Sequence, residues 1–377
     1  MVEHCGSHYN YHLCERCFVD LFMWRSHYNT QICFKDGFML VKMSPLDGGH
    51  DCYLAPVGQG DLGAALDALE QDAAERGLPF VIVSVAEPMI ERIEAVRPGK
   101  FTFSHDSEDG DDYIYLADKL RTLSGKKLQS KRNLVNRFKA AYEGRWSYED
   151  MTRENIKDAF AFHIHWCNLN GCARERDFEG ETCAIVQALH NFDYLNLRGG
   201  LLRLDGEVIA FTFGCKATPD MFVVQIEKAD HTIQGAYQMI NQQFVQRNCN
   251  DVEYVNREED LGLEGLRQSK LSYHPLFLQP KLTAQRLTEE QLQLSALWLA
   301  CFPEDTQDDV EQFLLSRYDE RRCLVARRDG RIAAMLHIVP FRDTAYIYAV
   351  ATAPDCRQQG LAGGLLREAL DRCRAEG

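Results

Sequence analysis

The stretch Val350-Ala351-Thr352-Ala353-Pro354-Asp355-Cys356-Arg357-Gln358-Gln359-Gly360-Leu361-Ala362-Gly363-Gly364-Leu365-Leu366 decides how this chain is read. An apolar strand runs to Thr352 and is broken by Pro354 and Asp355. After Gly360, Leu365, Leu366 and Leu370 recur at helical spacing, which predicts a helix to about Ala375. A loop that enters a helix N-terminus offers backbone N–H groups that the helix leaves unpaired, together with the positive end of its dipole. Small residues at Gly360, Ala362 and Gly363 let a phosphate oxygen come close to that backbone. Arg357 adds positive charge at the rim.

Upstream of this loop the pattern is orderly. Thr288-x-x-Gln291 has the form of a capping box and opens a helix toward Cys301. A second helix is expected over about Asp308 to Tyr318. Cys323 to Ala326 and Ile332 to Val339 form a hairpin over Arg328-Asp329-Gly330, and Tyr346 to Thr352 is a third strand. The same order of hairpin, strand, loop and helix is expected twice more. In residues 1–120 the hairpin turns at Lys35-Asp36-Gly37 and a helix covers Leu62 to Arg76, stopped by Gly77. Phe80 to Val85 is a strand, and Phe101 to Ser104 with Tyr113 to Leu116 make a final strand pair. In residues 121–282 a basic amphipathic helix spans 121–142, and two further helices follow around Asn155 to Cys167 and Glu181 to Asn191. The strands Leu201 to Leu204, Val208 to Phe213 and Met221 to Ile226 then lead into a helix at about Gln234 to Arg247. The expected architecture is α/β (α+β): three similar units, each a mixed, mostly antiparallel sheet flanked by helices.

Composition bounds the function. The 377 residues carry 42 basic and 56 acidic side chains, a net charge of −14. That argues against a nucleic-acid or anionic-membrane partner for the chain as a whole. The basic segment 121–142, which contains no acid, is the local exception. No apolar run approaches the ~18 residues of a membrane span. No signal peptide is visible at the N-terminus, so a cytoplasmic location is expected. Fourteen cysteines in such a chain read as reduced thiols. The cluster His4, Cys5, His8, His12, Cys14 and Cys17 contains one Cys-x-x-Cys pair but no second knuckle. It reads as structural, and no metal site is expected. His163 and His165 fall on different faces of a helix and also read as structural.

The Arg357-x-x-Gly360-x-Ala362 loop, after its strand, resembles the acyl-CoA pyrophosphate loop of the GNAT acetyltransferase superfamily. The resemblance covers about residues 284–377. It implies acetyl-CoA as acyl donor, with the pyrophosphate on Gln358, Gln359, Gly360, Leu361, Ala362 and Gly363 beside Arg357. It also implies a pantetheine arm along Val350, Ala351 and Thr352, and a small-molecule or peptide amine as acceptor. The family's usual general acid lies after a fifth strand. This sequence stops at Gly377, before that point, so residues 283–377 read as a truncated domain.

Residues 10–282 resemble a second family. Leu123-Ser124-Gly125-Lys126-Lys127, Ile226-Glu227-Lys228-Ala229-Asp230, Gly235-Ala236-Tyr237, Asn256-Arg257-Glu258-Glu259-Asp260-Leu261-Gly262 and Arg267-Gln268-Ser269-Lys270-Leu271-Ser272-Tyr273 look like the phosphatidylglycerol lysyltransferase C-terminal domain family. That resemblance implies a tandem GNAT-like module, whose halves are 1–120 and 121–282, and members that move an aminoacyl group from tRNA. Glu227, Lys228 and Arg257 become catalytic candidates at the end of neighbouring strands. Arg257 and Arg267 suit a phosphate or carboxylate, and Lys126, Lys127, Lys131 and Arg132 suit a tRNA backbone. The loop Ile233-Gln234-Gly235-Ala236 parallels the C-terminal one but lacks its Arg and its second glycine, so it is a poorer pyrophosphate site. Three functions stay open: CoA-dependent N-acetyl transfer, aminoacyl-tRNA-dependent transfer, and a non-catalytic binding role for the N-terminal module. The acceptor and the oligomeric state are not legible.

Overall fold

A computed structural model describes residues 11–44, 51–105, 107–170, 176–341 and 344–376. The chain divides into two compact units. One holds residues 1–96 and 105–283, the other 97–104 and 284–377.

The first unit begins with a short 3-10 turn, Cys14–Arg16, and α1 (Phe18–Met23). The hairpin β1 (Gln31–Lys35) and β2 (Phe38–Met43) turns at Asp36 and Gly37, both with positive φ. β3 (Cys52–Leu54) pairs with β2, as does β4 (Val57–Gly58). Helix α2 (Leu62–Arg76) is capped by the Asp61 side chain and ends at Gly77, whose φ of 67° supplies the left-handed C-cap. β5 (Val81–Val85) runs parallel to β3 and leads into α3 (Glu87–Val96).

The second sheet positions the buried residues discussed below. Its strands are β7 (Asp112–Leu116), β8 (Trp146–Asp150), β9 (Arg198–Leu204), β10 (Glu207–Lys216), β11 (Met221–Ala229), β12 (Tyr254–Asn256) and β13 (Phe277–Gln279). They lie in the order β13-β7-β12-β11-β10-β9-β8, antiparallel except for the β11–β12 pair. One face packs on α4 (Ala117–Thr122), α5 (Gln129–Ala141) and α8 (Ala236–Asn248) through Leu202, Ala210, Phe222 and Val224. The other packs on α1, α6 (Ile156–Asn170) and α7 (Arg176–His190) through Leu201, Phe211, Phe213 and Ile226. A sheet buried on both faces explains why its strands read as unbroken apolar runs. Helix α9 (Glu264–Leu271) follows β12.

The second unit contains β6 (Thr102–Ser104), helices α10 (Glu289–Cys301) and α11 (Gln307–Arg317), and a three-stranded sheet. A further strand, β14 (Leu282–Gln285), falls where the two units divide. The capping box is complete: the Gln291 amide donates to Thr288 Oγ1, and the Thr288 amide donates to Gln291 Oε1. β15 (Cys323–Arg328), β16 (Arg331–Phe341) and β17 (Thr344–Thr352) form an antiparallel meander. α10 and α11 cover one face through Trp298, Val310 and Leu314, which meet Ala333, Met335 and Ala351. α12 (Leu361–Glu376) covers the other through Leu365 and Ala369, which meet Ala334, Leu336 and Ile338.

The fold is thus mixed α/β, with mostly antiparallel sheets flanked by helices, as the sequence predicts. Three expectations need correction. Residues 101–104 and 113–116 are not a strand pair: β7 pairs with β12 and β13 of the second sheet, and β6 belongs with the second unit. The basic segment 121–142 is not one helix. Leu123 at φ 50° and Gly125 at φ 93° end α4, so Lys126 and Lys127 sit in a turn ahead of α5. Strand β8 falls where no element was expected. Its Tyr148 is the one well-buried side chain among five residues, too weak a pattern for period-two recognition.

Candidate functional site

β17 is built to present a backbone edge. Its partner β16 lies on one side, and among the described residues no strand lies on the other. A bulge interrupts it: Met335 faces Ala351, yet His337 faces Tyr348, so β17 carries one extra residue there. Ala349 takes up the irregularity at φ 50°. Beyond the bulge Ala351 is buried at 2%, while Val350 and Thr352 are half-buried. A 3-10 turn, Pro354–Cys356, then leads to Arg357.

The loop that follows is open. Arg357, Gln358, Gln359 and Gly360 are exposed, and Leu361, Ala362 and Gly363 are half-buried. Gln358 (φ 63°) and Gly360 (φ 77°) both take left-handed conformations, which turn the chain into α12. The helix ladder starts with the Gly364 amide donating to Gly360 O at 2.9 Å. The amides of Leu361, Ala362 and Gly363 therefore precede any intrahelical acceptor. No atom lies within 4 Å of where a side chain on Gly360 would begin. At Gly363 the nearest such atom is Arg367 Nη1, at 4.0 Å. Arg357 Nε donates to Thr352 O at 3.4 Å, which holds its guanidinium beside the strand end. Arg367, one helical turn beyond Gly363, is a second cation at this mouth that the loop pattern alone does not reveal. Asp355, in the turn before this loop, is paired with Arg331. A cationic, glycine-lined mouth of free amides fits a pyrophosphate.

The first unit provides an internal comparison. β11 also carries a bulge, at Gln225, and also runs through a glycine turn into a helix, α8. There Gly235 has φ 90°, but a side chain on it would begin 2.9 Å from Leu134 O and 3.1 Å from Phe138 Cβ. Helix α5 thus closes over this loop. The ground that lies open at Gly360 is filled at Gly235.

The three catalytic candidates do not form one site. Glu227 and Lys228 are consecutive residues within β11, so their side chains leave opposite faces of the sheet. The sequence reading ended the strand at Ile226 and missed this. Lys228 lies 2.8 Å from Glu181 Oε2 and its Nζ is 3.5 Å from the centre of the Trp166 ring. His163 lies in the same region, bonded to Thr182 Oγ1 at 3.0 Å. Burial and the Lys228 charge push its pKa down to about 4, so it is neutral. On the other face Glu227 meets Arg257: Arg257 Nη2 donates to Glu227 Oε1 at 2.8 Å, and Asn241 Nδ2 donates to Oε2 at 2.8 Å. Both carboxylate oxygens are thus engaged, and Glu227 anchors the guanidinium. Arg267 is engaged too, through a bidentate pair with Asp260.

Of the basic residues proposed for RNA, Lys126 and Lys127 are exposed. Lys131 and Arg132 are half-buried and turned inward. Lys131 Nζ sits 4.6 Å from the centre of the Tyr273 ring, and Arg132 Nη1 donates to Leu123 O at 2.5 Å.

The cysteine cluster also resolves differently. His4, Cys5 and His8 lie outside the described residues. Cys14 Sγ donates to Asp112 Oδ1 at 3.3 Å and stands near Glu259, whereas Cys17 lies 3.7 Å from Gln225 Nε2. Cys14, Asp112 and Glu259 would make a plausible ligand set. The Lys281 ammonium occupies its centre, 2.7 Å from Glu15 Oε1, 2.8 Å from Asp112 Oδ1 and 3.0 Å from Glu259 Oε2. Lys281 was not singled out from sequence, where a lone lysine carries no signal.

Known proteins resemble this chain in two parts. The family described as "Phosphatidylglycerol lysyltransferase, C-terminal" matches residues 7–285, and "Acetyltransferase (GNAT) family" matches residues 289–377. A conserved protein of unknown function from Bacteroides thetaiotaomicron VPI-5482 is 39% identical, with a TM-score of 0.72 over 76% of this chain and 95% of that one. L-PGS from Bacillus licheniformis is 14% identical, with a TM-score of 0.52 over 71% of this chain and 87% of that one, a likeness of fold. An uncharacterized protein of Mycoplasmoides gallisepticum is 26% identical over 178 residues, 45% of this chain, and the match spans 54% of that relative. No helix among the described residues is long and apolar enough to cross a membrane. The chain belongs to the phosphatidylglycerol lysyltransferase C-terminal family, and a GNAT acetyltransferase-family domain follows that module.

Proposed function

We propose that residues 284–377 bind acetyl-CoA as acyl donor and serve N-acetyl transfer to an amine, either a small molecule or a peptide. The observation that carries this reading is the open turn at Gly360, with the amides of Leu361, Ala362 and Gly363 unclaimed by the helix. Those amides, with the α12 dipole, Arg357 and Arg367, hold the pyrophosphate charge. The free edge of β17 at Val350, Ala351 and Thr352 pairs with the amide groups of the pantetheine arm, as an added strand would. Bound there, the thioester supplies an activated acyl carbon, which the amine attacks with loss of the thiol. The β17 bulge turns the edge at the point where that carbon would lie. Calorimetric titration of the chain with acetyl-CoA tests the reading. Saturable one-to-one binding that Arg357→Ala weakens supports it, and absence of binding refutes it.

A second reading concerns the N-terminal module, which would take its acyl group from aminoacyl-tRNA. Its support is family membership and the exposed Lys126 and Lys127. It predicts RNA binding that weakens steeply with salt.

A further inference from the structure

The face of β11 that carries Glu227 holds a set of polar groups that the acyl-CoA reading does not use. Arg257, at 9% side-chain exposure, is fixed on one side by Glu227. Its Nη1 is buried and has no hydrogen-bond partner among the described residues. The Tyr273 hydroxyl, on a residue 3% exposed, is buried and equally without a partner. The Arg257 guanidinium lies 5.0 Å from the centre of the Tyr273 ring, and Lys131 Nζ lies 4.6 Å from the same centre. Two cations from separate elements thus approach the ring that carries this hydroxyl.

Arg257 and Lys131 bring two positive charges, and Lys270 nearby brings a third, with its ammonium donating to the carbonyls of Arg257 and Glu258 at 2.6 and 3.0 Å. Glu227 is the carboxylate bonded to Arg257, with Asn241 on its other oxygen, while Glu259 and Glu258 act on Lys270. Burial and the Arg257 charge lower the Lys131 pKa. A buried donor left unsatisfied costs about 1–3 kcal/mol, more when charged. Natural folds keep such groups where a ligand or water completes them. Lys131, on α5, is half-buried, and the Arg257 side chain beside it is 9% exposed.

We infer that Arg257, Tyr273 and Lys131 form a binding site for a small oxyanion, the carboxylate or phosphate group of a ligand. Glu227 and Asn241 act as positioning residues that hold the guanidinium. The site lies in the other unit from the acyl-CoA loop and stands independently of that reading.

The test uses the full chain carrying Gly363→Glu, which removes the α12 loop as a competing anion site. Inorganic phosphate and acetate are titrated separately at low ionic strength, with binding read by calorimetry and by the shift in melting temperature. Saturable binding of phosphate, of acetate or of both is expected, and the better probe identifies the ligand group. Tyr273→Phe removes one unsatisfied hydroxyl and leaves the ring. Lys131→Met keeps the stem on that ring. Each is expected to weaken binding by about tenfold, the value of one hydrogen bond to a charged group, while the melting temperature without ligand stays within a few degrees of the parent. Absence of saturable binding by either probe overturns the inference, as does binding that both variants leave unchanged.

Discussion

Replacing Lys281 with methionine isolates the strongest buried charge contact in the first unit. The ammonium is 10% exposed and sits 2.7–3.0 Å from three carboxylates, of which Asp112 is fully buried. Burial opposes its charge, but Asp112, Cys14, Glu15 and Glu259 more than compensate and raise its pKa well above the usual lysine range. Methionine keeps the stem volume and removes the one cation that, among the described residues, is bonded to all three acids. Breaking a buried pair from one side costs about 3–5 kcal/mol. The loss must depend on pH. Burial pushes Asp112 up to about 6 even with the lysine present. Glu259 is held down to about 2, because Lys281 and Lys270 outweigh its burial. Without Lys281 the carboxyl pKa values of the folded chain rise further above their unfolded values. The folded variant then holds a proton that the unfolded chain releases, so its stability grows as pH falls. One such proton held from about pH 8 to pH 5 recovers roughly 4 kcal/mol. Urea unfolding of parent and variant at both values measures this. A deficit of several kcal/mol near pH 8 that mostly disappears near pH 5 is expected. A deficit below about 1 kcal/mol near pH 8, or one that grows in acid, refutes the reasoning.

Other consequences follow from the same geometry. His337 is 3% exposed, and burial lowers its pKa from 6.5 to about 4. The unfolded chain binds this proton first on acidification, so stability falls by up to about 1.4 kcal/mol per pH unit between those values. His337→Gln is expected to flatten that limb of the pH–stability curve. Gly235→Ala is expected to cost clearly more than Gly360→Ala in thermal denaturation. Both glycines have positive φ, roughly 1 kcal/mol for alanine, but only at Gly235 would the methyl meet a carbonyl, at 2.9 Å. Glu227→Gln leaves Arg257 buried without its counter-charge and is expected to destabilise by about 3 kcal/mol, read by chemical denaturation.

Local features were legible in the sequence because local physics sets them. Gly77 ends α2 in the left-handed region, Thr288 and Gln291 close their reciprocal cap, and Asp205-Gly206 turns β9 into β10, as expected from those residues alone. Long-range pairing was not legible. β7 pairs with strands more than 130 residues away, and nothing in Tyr113 to Leu116 encodes a partner. The bulges at Gln225 and Ala349 escaped for a related reason, since each exists only as a mismatch against a neighbouring strand. The glycine turn before α12 was legible because it lies in consecutive residues. The oxyanion cluster was not, because Lys131, Arg257 and Tyr273 come from three elements and meet only through packing. The opposite faces of Glu227 and Lys228 follow from strand periodicity, and they were missed only because β11 runs three residues further than its apolar run.

The central claim is that the open turn before α12 holds the acyl donor. Calorimetric titration with acetyl-CoA of the parent chain and of Gly363→Glu tests it most directly. A side chain at Gly363 would meet no atom closer than 4.0 Å, and a carboxylate in the first turn of a helix favours the fold. The variant is therefore expected to fold at least as well as the parent and to lose acetyl-CoA binding, because its charge stands where the pyrophosphate would. Equal binding by the two chains, or none by the parent, would contradict the account.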